Sequence, residues 1–100
     1  MPFPPSPKDL SGVTKAEFAA LRKHVHAELL PEYRHLLPVS HFDISYDEHN
    51  QTVQLLMDGQ PADLKYNAVV WLLNSIKNEV GYITSLGVDE YVARSLATRH

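Results

Sequence analysis

Apolar residues recur at helical spacing along PADLKYNAVVWLLNSIKNEVGYITSLG, from Pro61 to Gly87. Ala62, Tyr66, Val69, Leu73, Ile76, Val80 and Ile83 alternate steps of four and three residues. That keeps them on one face for about six turns and predicts a long central helix. A second line, Leu64, Trp71 and Tyr82, falls roughly opposite the first. The ends are punctuated. Asp58-Gly59 is a turn signal, and Pro61 suits a first helical position because it has no N–H to leave unbonded. Asp63 then favours the positive end of the helix dipole. Gly87 fits a left-handed C-terminal position, with Val88 folding back on Ile83.

A first helix is predicted from Thr14. Thr14 and Glu17 form a capping box, and Val13 with Phe18 forms a hydrophobic staple around it. Its apolar stripe is Phe18, Leu21, Val25 and Leu29. Pro31 is expected to end or kink it near Leu30, because proline removes a hydrogen bond and clashes with the preceding turn. Strict alternation then replaces the helical period. Phe42, Ile44 and Tyr46 alternate with His41, Asp43, Ser45 and Asp47, while Val53, Leu55 and Met57 alternate with Gln54, Leu56 and Asp58. A hairpin across Glu48-His49-Asn50-Gln51 pairs Phe42 with Met57, Ile44 with Leu55 and Tyr46 with Val53, so the apolar residues share one face. A short last helix is expected from about Asp89, with Val92, Ala93, Leu96 and Ala97 as its apolar edge.

The element order is therefore α-β-β-α-α. The expected fold is a small α+β domain with one β-hairpin packed against the long central helix. Residues 1–12, with Pro2, Pro4, Pro5 and Pro7, read as an extended or disordered arm; residues 13–100 read as the globular domain.

Composition narrows the function by exclusion. The chain has no cysteine, which removes disulfides, zinc–thiolate sites and thiol nucleophiles. No apolar run is long enough to span a membrane, and the N-terminus lacks the pattern of a signal peptide, so a soluble cytoplasmic protein is expected. The formal charge of −3 opposes nucleic-acid binding. That charge is uneven, since residues 39–60 hold Asp43, Asp47, Glu48 and Asp58 without any Lys or Arg.

The candidate chemistry lies on that acidic hairpin face. His41, Asp43, Ser45 and Asp47 share one side of a strand, and the register sets Asp58 opposite His41. One imidazole and two carboxylates are the donors that a divalent cation or a general base requires. Alternation alone also puts polar residues there, so neither a tightly bound metal nor a catalytic residue is expected. His24 and His26, two positions apart on a helix, point too far apart to share a metal. No serine has a nucleophile-elbow context, the glycines are too scattered for a phosphate-cradling loop, and no cofactor is implied. The reading is a small non-catalytic interaction module: a homo-oligomer, an accessory subunit, or an inhibitor that occupies a partner protein. Leu64, Trp71 and Tyr82 are its expected contact surface. The alternative is a small enzyme or metal-binding protein using His41, Asp43 and Asp58.

Overall fold

The computed structural model describes residues 10–97, with the side chains of 10–95. The expected arm lies outside these residues as far as Asp9. So do the side chains of Leu96 and Ala97. The fold is α+β: α1 (Lys15–His24), a π-helical turn (Val25–Leu29), α2 (Leu30–Tyr33), a 3-10 turn (Arg34–Leu36), β1 (Phe42–Asp47), β2 (Thr52–Met57), β3 (Gln60–Pro61), α3 (Asn67–Leu86) and α4 (Val88–Ala97). The strands form an antiparallel sheet in the order β1-β2-β3.

The capping box opens α1 as its spacing predicts. Thr14 Oγ1 accepts from the Glu17 N–H at 3.1 Å, and Glu17 Oε1 accepts from the Thr14 N–H at 2.9 Å. Glu17 is buried, and the Thr84 hydroxyl on α3 donates to its other oxygen at 3.4 Å. Leu21, Val25 and Leu29 are buried along the predicted stripe.

Pro31 does not end this helix. The chain passes through it to Tyr33 because the preceding turn widens: the Leu30 N–H reaches back to the Val25 carbonyl, a five-residue step. A wider turn moves the upstream carbonyls away from the proline ring, which an α-helical turn would bring into contact.

The hairpin has the predicted register, Phe42↔Met57, Ile44↔Leu55 and Tyr46↔Val53, across the predicted four-residue loop. Its apolar face packs against α1 and α3 in one core. Tyr46 is half-buried; its ring stacks on Phe18 at 5.0 Å, and its hydroxyl donates to the Val13 carbonyl at 2.6 Å.

Three expectations are corrected downstream. First, the long helix begins at Asn67, and Pro61 lies in β3. Asp58 and Gly59 both take positive φ, 52° and 81°, which is the geometry of a tight hairpin turn. The chain therefore folds back onto β2, and the Ala62 N–H donates to the Leu55 carbonyl at 2.9 Å. Asp63 caps a local turn by accepting from the Lys65 N–H at 3.0 Å, and so is not in the first turn of α3. Second, the buried face of α3 is Ala68, Val69, Leu72, Ile76, Val80 and Ile83. Tyr66 is exposed, Leu73 is half-buried, and Ala62 reaches the core from beyond β3.

Third, α4 starts at Val88, one residue after Gly87. The latter has the positive φ expected of it, 85°, but an extended ψ of 149° that starts the new helix at once. Its buried contact is Tyr91, whereas Val92 and Ala93 are exposed. Val88 packs on the core, so the inward face of α4 is one position out of phase with the expected edge.

The outer edge of β2 is closed from two directions. Near its start Val53 N–H donates to the Leu10 carbonyl at 2.8 Å, and Val13 N–H to the Gln51 carbonyl at 3.0 Å. β3 covers its other end. Leu10 packs on the core, so ordered structure begins before Val13.

Candidate functional site

α1, the π turn and α4 pack on α3, the apolar face of the sheet closes the same core, and what remains is an outward arc. Asn67, Trp71, Asn74, Asn78, Tyr82 and Ser85 are its exposed residues. At 100° per residue they fall within about 80° of one another. None is charged. Trp71 is 53% exposed and Tyr82 is 45% exposed. A neutral strip with two accessible aromatics is uncommon on a helix that faces only water, where Lys and Glu usually dominate.

The structure keeps the three predicted surface residues exposed but divides them. Trp71 and Tyr82 share the arc. Leu64, 55% exposed, lies in the turn before α3 and does not extend the helical line. Tyr82 also meets Tyr91 of α4 edge to face, with ring centroids 5.9 Å apart.

The acidic hairpin residues do not converge. Asp47 caps its own loop, accepting from the His49 N–H, the Asn50 N–H and the Asn50 side chain. The Asn50 contacts hold its carboxyl below the usual range. Asp58 accepts from the His41 backbone N–H at 3.3 Å. Asp43 turns toward the helices instead. Its Oδ2 accepts from Arg22 at 3.0 Å, and its Oδ1 meets His26 Nε2 at 2.8 Å and the Ile44 N–H at 2.7 Å. Partial burial pulls Asp43 upward, but the bonds from Arg22, His26 and Ile44 outweigh it and hold the carboxyl below its ordinary value. Among the described residues no group of three His, Cys, Asp or Glu side chains is placed to hold a metal ion.

Asp43 has a structural consequence for β1. The Val53 and Leu55 bonds to the opposite edge make the Ile44 and Tyr46 pairs non-hydrogen-bonded, so their backbone groups point outward from β1. Asp43 caps one of them, the Ile44 N–H. Contacts of α1 and the π turn with β1 and its loop follow along the same side: Lys15 with Glu48, Phe18 with Tyr46, Arg22 and His26 with Asp43. Charge and a neighbouring helix are recognised ways to blunt a strand edge against pairing with another chain.

Among the described residues several clefts border the helices, and two of them reach α2. One, of about 360 Å³, lies between the π turn, α2 and the start of β1. Leu30, Leu37, Phe42 and Leu56 give it apolar walls, and His26, Arg34 and His41 stand among them with Asp43. The second, of about 350 Å³, lies between α3, α4 and the π turn and is lined by Glu28, Glu32 and Glu79 with His24 and Arg94. There the Tyr91 hydroxyl donates to Glu79 in a short contact, and His24 Nδ1 lies 3.5 Å from the same carboxylate. Burial, then the Glu79 carboxylate, pushes the Tyr91 phenol well above its ordinary value.

Neither of these clefts is legible in the sequence pattern. Arg22, His26 and Asp43 meet only because the first helix crosses the sheet. Tyr91 has a legible signal, three residues after Val88 on the same helical face. No protein-family model matches the chain, and no curated protein or solved structure matches it either.

Proposed function

We propose that this protein works by association, and that the outward arc of α3 is the contact surface. One observation carries the reading: the arc has no charged residue and displays Trp71 and Tyr82. Cores of protein interfaces are depleted in charge and enriched in aromatics, and Trp and Tyr are frequent anchors of their binding energy. A neutral strip suits a partner surface that is itself neutral. A second copy of this chain offers one, since the same arc on each copy can pair about a two-fold axis.

Light scattering across a concentration series, on the native chain and on Trp71→Glu, tests this. The native chain is expected to form a dimer. The variant is expected to be monomeric yet folded, because Trp71 is half outside the core. A native chain that stays monomeric at millimolar concentration would overturn the self-association reading. So would a dimer indifferent to Trp71→Glu, since the contact would then lie elsewhere.

A further inference from the structure

The geometry points to the cleft beside the π turn as a binding site for a small amphipathic carboxylate. The acid group would sit on Arg34, with the apolar body against Leu30, Leu37 and Phe42. The cleft's volume, about 360 Å³, lies within the range of small-ligand sites. Leu30 and Phe42 are buried and form its floor, while Leu37 is half-buried at the side. Such a surface favours a hydrocarbon body.

The charge at the cleft selects the sign of the head group. Among the described residues Asp43 is the only carboxylate lining the cleft, and Arg22 and His26 already hold it. The Arg34 guanidinium and the His41 ring have no hydrogen-bond or ion-pair partner among the described residues. A cationic ligand would find no free counter-charge here, whereas an anion would. A planar guanidinium matches a carboxylate with two parallel bonds. The neighbouring cleft, with three glutamates, has the opposite character.

The backbone supports the same location. The widened turn places His26 and Leu30 on the cleft, and π turns recur at functional sites. This site is separate from the α3 arc and does not depend on association.

Octanoate is a suitable probe, titrated into the full chain and followed by calorimetry and by amide NMR shifts. Octanol serves as the apolar control and Arg34→Gln as the variant. Saturable one-site binding is expected, with shifts centred on Leu37 and Phe42. Octanol, and octanoate on Arg34→Gln, should each bind at least tenfold more weakly. Arg34 is exposed, so the variant should keep the native unfolding temperature. No saturable octanoate binding would overturn the proposal. Shifts centred on another region, or equal affinity for octanol or for the variant, would overturn it as well.

Discussion

Asp43 shows how one side chain can serve several neighbours. It meets Arg22, His26 and the Ile44 N–H, and so links α1, the π turn and the edge strand. Its folded-state value lies below its ordinary one of 3.8. The carboxylate therefore contributes its full stabilisation above the ordinary value and loses it as pH falls through the lowered one. The group is 41% exposed, so solvent screens the pair and the contribution is at most about 1 kcal/mol. Asp43→Asn is expected to be less stable than the native chain at neutral pH by up to about that amount. The difference should close as the pH falls through that lowered value. Urea unfolding of both chains from neutral to acid pH checks it; a gap that persists or widens in acid would refute the assignment.

At the scale of elements, the turn between β2 and β3 decides the most. Asp58 and Gly59 both sit at positive φ, and the third strand and the late start of α3 follow from that reversal. No neighbouring atom would obstruct a Cβ at Gly59, so the cost of a side chain there is conformational. Gly59→Ala is expected to cost about 1 kcal/mol, because a non-glycine residue resists the left-handed region. Chemical denaturation measures it. An unchanged midpoint would mean that the turn is not held in this form. The π turn is a second decision at this scale, since it lets one helix continue past Pro31 and borders the cleft beside Arg34.

At the scale of the molecule, the described residues form a three-stranded sheet and a set of helices around one core. β2 is central, with β1 on one side and two short pieces of chain on the other. One of those pieces is the end of the expected N-terminal arm, where Leu10 accepts from Val53 and packs on the core. Removing residues 1–12 should therefore cost about 1–2 kcal/mol, through a lost hydrogen bond and lost apolar burial. That exceeds the near-zero cost expected of an undocked arm. Thermal unfolding of the shortened chain decides between them, and a shift of several degrees is expected for a domain of this size.

Local sequence was sufficient where a single neighbour or a strict period sets the outcome. The capping box needs only Thr14 and Glu17, three residues apart. The register of β1 on β2 follows from alternation, because a slip of one residue would turn Phe42, Ile44 and Tyr46 out of the core. The long helical pattern predicted α3, though not its first residue. Asp58-Gly59 carried the hairpin signal for β3 as well, but the apolar spacing beyond it, which included Ala62 and Tyr66, favoured a helix start. Only the tertiary structure decided the rest. Whether Trp71 faces water depends on which side of α3 the sheet and α1 occupy, and no period contains that. The contact of His26 and Arg22 with Asp43, and the cleft around Arg34, arise from residues far apart in sequence. Packing alone brings them together, and a one-dimensional pattern has no term for it.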